Sequence, residues 1–254
     1  MGAMAAMASH MSLAASLELS CEAALLQGRV ETGAAEPGDD ALLRLLTPLA
    51  KLFTAKASVW GCSEAVEAFG GAGYVENTGV ARLLRDAQVL SIWEGTTNVL
   101  SLDALRALQR EDAFAPFLER LRKGLEALDA PALETSRERI LQAVDGLEAF
   151  WTAAAQEGVA FAQAAARSFA QAMASTYAAV LLAERARWAL ADVGNDVDVG
   201  NDVGNEGGGG GRAKKDLALL GRWLRNHLTA PRHTDATWRE GTRTLLSSHS
   251  CTGP

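Results

Sequence analysis

Helix-breaking residues divide this chain into long pieces, and every piece carries the same pattern. Gly33, Pro37 and Gly38 fall together, then Gly70, Gly71 and Gly73, then Pro131, Gly158 and a Gly/Asn/Asp run from 192 to 211. Between the breaks, apolar residues recur every three or four positions, the period of one helix face, and no segment alternates as a half-buried strand does. Ala, Leu, Glu and Arg dominate and β-branched residues are sparse, which favours helix. The expected fold is therefore all-α, an antiparallel helical bundle. The pattern predicts a first helix over 4–31, with Leu13, Leu17, Ala24 and Leu25 in its apolar stripe. Asp40 is the expected N-cap of a second, over 41–69, carrying Leu45, Leu49, Leu52, Phe53, Val59 and Val66. A short helix Val80–Ala87 precedes another from Thr97 to Leu108, with Val99, Leu102, Leu105 and Leu108 on one face. Three more are expected over 113–190. The expected division is a helical domain over 4–110, an additional helical region over 111–190, a low-complexity linker over 191–212, and a basic helix and tail over 213–254.

Composition bounds the function. A length of 254 residues, 48% of them apolar, suits one large or two small domains. A net charge of −7 argues against a chain that binds nucleic acid by bulk charge. Cys21, Cys62 and Cys251 are odd in number and far apart, and no histidine stands at metal-ligand spacing, so neither a disulfide framework nor a metal site is expected. An intracellular setting follows, cytoplasmic or mitochondrial, with no targeting signal visible: the N-terminus lacks a basic region and the first arginine is Arg29. The uncharged run 168–183 is too short and too polar to span a bilayer, so no membrane partner is expected. Residues 192–211 match only two ligand places of a calcium loop, Asp196 and Asp198, with Asn201 where glycine is needed; they read as flexible linker. Residues 212–243 carry eight Lys/Arg against three acids. Leu217, Leu220, Leu224 and Leu228 would share one helix face, opposite Lys215, Arg222 and Arg225. A packed helix with a solvated basic face explains this; contact with a polyanion such as nucleic acid is the alternative.

Two short motifs carry chemistry. In "EAFGGAGYVENTG", Gly70, Gly71 and Gly73 strip side chains from a loop just after a helix, letting backbone N–H groups approach a phosphate; the same glycines also suit a simple helix end. In "IWEGTTN", Glu94 closes the apolar run Val89–Trp93, and Thr96, Thr97 and Asn98 stand at the start of a helix. Free N–H groups there suit an anionic ligand. An apolar wall of Ile92 and Trp93 would raise the Glu94 carboxyl toward the range useful to a general base, whereas a bare helix-start charge would only stabilise the helix.

Taken in order, "GG-G-Y", "RLLRDA" and "IWEGTTN" within some forty residues resemble the C-terminal helical domain of the acyl-CoA dehydrogenase family. The resemblance covers about residues 4–110 and is greatest to the alkylation-response, AidB-like branch, whose members carry a further helical region implicated in DNA binding. It implies an FAD-dependent oxidoreductase acting on a CH–CH bond, an acyl-CoA-type substrate and a homo-oligomer. The alternative it implies is a flavoprotein-derived module that binds nucleic acid through residues 212–243 with little dehydrogenation. Glu94 matches the family's base, Thr96 and Asn98 its flavin contacts, and Glu67, Ala68, Phe69, Gly70 and Gly71 the stretch that meets a neighbouring subunit's flavin. Arg82, Arg85 and Asp86 read as structural ion pairing. Two residues depart from the pattern: Ala72 stands for the usual Asn, and Glu67 for the usual Gln. No strand-rich segment precedes the first helix, so the expectation is a fragment holding the base and one wall of the site, inactive alone.

Overall fold

A computed structural model describes residues 2–195 and 209–228. Among them are nine α-helices and no strand: α1 (Gly2–Thr32), α2 (Asp39–Ala68), the single turn α3 (Gly71–Tyr74), α4 (Val80–Leu90), α5 (Thr97–Arg110), α6 (Phe114–Glu126), α7 (Glu134–Glu157), α8 (Val159–Asn195) and α9 (Gly209–Asn226). Short 3-10 turns lie at Glu76–Thr78 and Pro131–Leu133. The all-α bundle is thus as the sequence predicts. Residues 191–195 and 209–212, expected in the linker, belong instead to α8 and α9, and the rest of the expected linker lies outside the described residues. Residues 196–208 and 229–254, and with them Arg232, Arg239 and Arg243, lie outside the described residues.

Helix α8 is the central post, in contact with α1, α2, α5, α6, α7 and α9. Every residue from Met173 to Ala183 is buried. A helix apolar all round belongs in a core, and its alanines let neighbours approach closely. The apolar core is continuous from Met11 on α1 to Leu224 on α9. A fully buried leucine stabilises by about 1.5–3 kcal/mol, so Leu45, Leu46, Leu49 and Leu52 on α2 outweigh any exposed ion pair, worth at most about 1 kcal/mol.

Three local expectations fail for physical reasons. On α1 the inward face is Ala15, Leu19 and Leu26, while Leu13, Leu17 and Leu25 are 67%, 55% and 62% exposed. The inward face also carries Glu18 and Glu22, which pair with Arg185 and Arg120. Those two acids make the buried stripe look like the wet one. On α5, Leu100, Ala104, Leu105 and Leu108 turn inward, while Val99 and Leu102 are exposed. Asp40 does not cap α2. The cap is Gly38 at φ +94°, and the Asp39 carboxylate accepts the N–H of Glu36 at 2.9 Å, closing the loop before the helix.

The two arginines opposite α1 tie the chain's ends together. Arg120 on α6 donates to Glu22 on α1 and, through two nitrogens, to Glu184 on α8 at 2.8 and 2.9 Å. Burial pulls the Arg120 pKa down, but the Glu184 bond and the surrounding negative charges more than offset it, so the guanidinium stays charged. Tyr177 donates to Glu22 at 2.9 Å, and burial pushes its hydroxyl pKa well up, keeping the proton in that bond. Arg185 on α8 spans Glu18 on α1 and Asp216 on α9.

Candidate functional site

Helix α4 ends at Leu90, and four residues later the chain reverses through two consecutive left-handed residues, Glu94 at φ +54° and Gly95 at φ +114°. Glycine suits Gly95 because φ +114° strains any side chain there, and a β-carbon would also press on Leu100 Cδ2 at 3.0 Å. Glu94 has no such excuse. A side chain in this region costs about 1–2 kcal/mol, so its surroundings must hold it there. The apolar wall expected beside it is not closed by the described residues: Ile92 and Trp93 are 61% and 55% exposed, and Glu94 is exposed too. The reason lies in the phase of the segment. The buried residues are Ala87 and Ser91, four apart, which turns Val89, Leu90, Ile92 and Trp93 outward.

What holds the turn is Lys51 on α2. Its ammonium donates to the backbone carbonyls of Leu90 and, at 3.0 Å, Trp93. Hydrogen bonds to a charged group are worth about 1.5–3 kcal/mol when sheltered and less in water, so this pair is of the right size to offset the strain. Lys51 and Glu94 line one open groove of about 490 Å³, with Asp40, Arg44, Thr47 and Pro48 of α2 and Leu100 and Asp103 of α5. Arg44 braces it, donating to both Asp103 oxygens at 2.9 and 2.8 Å and lying 3.3 Å from Glu111. Motif reading does not flag Lys51 or Arg44. The available signal for Lys51 was a lone cation inside the buried run Leu49, Ala50, Leu52 and Phe53.

Helix α5 begins just past the turn. Thr96 is extended and makes no side-chain capping bond, and the first intrahelical bond is from the Leu100 N–H to the Thr96 carbonyl. The N–H groups of residues 97–99 are therefore free of helical acceptors, as at any helix start. Asn98 is exposed and accepts from Arg167 at 3.4 Å; Thr97 is buried. These donors suit an anionic group.

The glycine loop lies at the other end of α4. The α4 helix runs back along α2, with Gly73 against Val66 at one end and Lys51 beneath Trp93 at the other. Fifteen helical residues separate Lys51 from Val66, which puts the loop and Glu94 roughly 20 Å apart. The two motifs thus do not form one pocket. Glu67, Ala68, Phe69, Gly70 and Gly71 are all exposed. Gly70 adopts φ +57°, and Thr78 ties the loop by donating to the carbonyl of Ala72 at 2.7 Å. Arg85 pairs with Glu76 through both nitrogens, and Arg82 with Asp86 at 3.5 Å, so this element is ion-paired as expected. On α9, Arg212 is held by Asp192 and the Trp188 ring. Among the described residues, no group of three or more His, Cys, Asp or Glu could hold a metal, and no helix is long and apolar enough to cross a membrane.

Residues 5–109, which hold the glycine loop, α4 and the Glu-Gly-Thr turn, match the family profile of the acyl-CoA dehydrogenase C-terminal domain. Residues 112–249, over half of the chain, match the acyl-CoA dehydrogenase 11 C-terminal domain-like family, so the chain belongs to the acyl-CoA dehydrogenase family. It is 38% identical over 191 residues to acyl-CoA dehydrogenase family member 11 of Caenorhabditis elegans, covering 72% of this chain and 31% of that protein. It is 44% identical over 68 residues to the putative acyl-CoA dehydrogenase AidB of Escherichia coli, covering 27% of this chain and 13% of that one. The crystal structure of C. elegans ACDH-11 in complex with C11-CoA superposes with a TM-score of 0.74 at 31% identity, over 96% of this chain and 39% of that one. An FAD-complexed acyl-CoA dehydrogenase from Bacillus anthracis shares the fold, with a TM-score of 0.63 at 19% identity over 95% of this chain and 44% of that one. The chain thus spans about a third of the length of the worm relative. The region beyond residue 110 carries the dehydrogenase 11 signature, whereas the AidB match is short.

Proposed function

We propose that this chain supplies the base-bearing helical domain of an FAD-dependent oxidoreductase that acts on the CH–CH bond of an acyl-CoA, with Glu94 as the base. The observation that carries the reading is the Glu94 turn. A carboxylate is held exposed, in a strained left-handed conformation, three residues before the first residue of a helix whose first N–H donors are free. Among the described residues Asp112 shares such a backbone at φ +49°, but Glu94 is the one that lines a groove beside a helix start, and strain kept at a polar residue in such a place points to function. The residues present fit part of a flavin nucleotide: the N-terminus of α5 with Thr96 and Asn98, and the bare backbone at Gly70 and Gly71, would hold anionic or polar edges. The family resemblance assigns the two clusters, some 20 Å apart by helical rise, to two different flavins, the glycine loop to a neighbouring subunit's. Bound flavin supplies a hydride acceptor. Glu94 would take the α-proton of the thioester as the β-hydride leaves for that acceptor, and Thr96, Asn98 and the first-turn amides would hold the cofactor. The chain of C11-CoA in the ACDH-11 complex supports an acyl-CoA as the substrate class.

The test is turnover per bound flavin in the polypeptide that carries this chain. Glu94→Gln keeps the side chain's shape but cannot accept a proton, so flavin reduction by an acyl-CoA should fall by about 10²–10⁴-fold with FAD still bound. A rate within a few-fold of the parent overturns the assignment.

A further inference from the structure

Lys51 stands apart from the other charged residues of α2. Its chain neighbours Ala50 and Leu52 are buried, and its ammonium reaches across to the far end of α4. Both of its acceptors are backbone atoms. The Leu90 carbonyl belongs to the last residue of α4 and has no helical donor, which makes it a natural partner for a cation. The Trp93 carbonyl lies in the peptide unit whose nitrogen is that of Glu94. Pinning that plane fixes the N–Cα axis about which Glu94 adopts φ +54°.

Two fixed points, three residues apart, thus define the segment from which Glu94 projects. Gly95 permits the reversal beyond it, and Leu100 packs beneath Gly95. Ser91 closes the remaining side by donating to the Gln88 carbonyl at 3.0 Å. Helices α4 and α5 pack on α2 to either side of the turn, and of the elements just named only Lys51 comes from outside the 88–100 segment, so it is the hydrogen-bonding tie between the turn itself and α2. We propose that Lys51 is a positioning residue for Glu94: it does not meet the reacting atoms but holds the turn, and so the carboxylate, at a set height above α2. The catalytic consequence rests on the reading of Glu94 as the base; the structural consequence does not.

The two can be tested apart. In the 254-residue chain, amide hydrogen exchange is compared for Lys51→Met, Lys51→Arg and the parent. The Met variant should raise exchange across residues 91–96 about tenfold while α1, α7 and α8 stay unchanged, and Arg, which keeps a cation with several donors, should restore most of the protection. Unchanged protection at 91–96, or a rise spread evenly over the core, overturns the proposal. Should the Met variant fail to fold, the Arg variant and Lys51→Gln, which keeps one donor group, are read in its place, with Gln intermediate in protection. In the flavoprotein carrying this chain, Lys51→Met should slow flavin reduction roughly 10–100-fold while the acyl-CoA KM moves less than about twofold, since misplacement acts on the chemical step. A slow Glu94→Gln variant beside a Lys51→Met variant at the parent rate overturns the positioning role. A Glu94→Gln variant at the parent rate removes the base instead, and the exchange result then decides what Lys51 does.

Discussion

At Glu94 the backbone asks for glycine and the chain supplies a carboxylate. Glu94→Gly should therefore leave stability unchanged or raise it by up to about 1 kcal/mol in denaturant unfolding, while removing the proposed base; a clear loss would show that the side chain stabilises the turn. Gly73 is the opposite case. It is buried, and a β-carbon there would run into the Val66 backbone, so Gly73→Ala should destabilise the glycine loop by about 1–3 kcal/mol. Local loosening around residues 66–79 in hydrogen exchange is the expected sign. Both motifs were legible in the sequence because their residues are rare and tightly ordered along the chain. Lys51 was not, because a lysine's importance here comes from carbonyls about forty positions away. The supposed wall of Ile92 and Trp93 misled for a related reason: an apolar run does not say which of its members point inward.

At the scale of elements, α2 and α5 are clasped by Arg44. Its hydrogen bonds hold the Asp103 carboxyl below the usual carboxylate range, with the Arg44 and Arg106 charges adding to the effect against burial. The sign of the linkage follows. Asp103 has a lower pKa folded than unfolded, so its contribution is fully present above the unfolded value of about 3.9 and is lost as pH falls through the folded one. Asp103→Asn should lower stability by about 1 kcal/mol at neutral pH and flatten the acid-induced loss below about pH 4, as followed by circular dichroism. An unaltered acid profile would place the acid lability elsewhere. Helix existence and breaks were readable from glycine, proline and periodicity. Which face turned inward was not, wherever an acid sat on the buried side to meet an arginine from a distant helix, as Glu18 and Glu22 do.

Over the whole molecule, the family profiles change between residues 109 and 112, yet the core runs through without a gap. Arg120 is where three helices converge, and Arg120→Met would leave Glu22 and Glu184 facing each other without their cation. A loss of about 2–4 kcal/mol is expected, smaller than for a fully buried pair because all three side chains keep some solvent. Unfolding should remain a single transition, with reporters on α2 and α9 sharing one midpoint; separate midpoints would mean two independent domains. The all-α class and the family were legible from local patterns, but this unity was not, because it rests on pairings between distant residues, from Arg120 with Glu184, 64 positions apart, to Arg185 with Glu18, 167 apart. The central place of α8 also sets an order on synthesis. Helices α1, α2, α4 and α5 can pack on one another first, but the faces that α1, α2, α5, α6 and α7 turn to α8 stay uncovered until residue 195 or so has left the ribosome, which at 5–20 residues per second means roughly ten seconds or more. For that interval the nascent chain is a natural client for chaperones, and its yield in a cell should depend on how quickly α8 arrives.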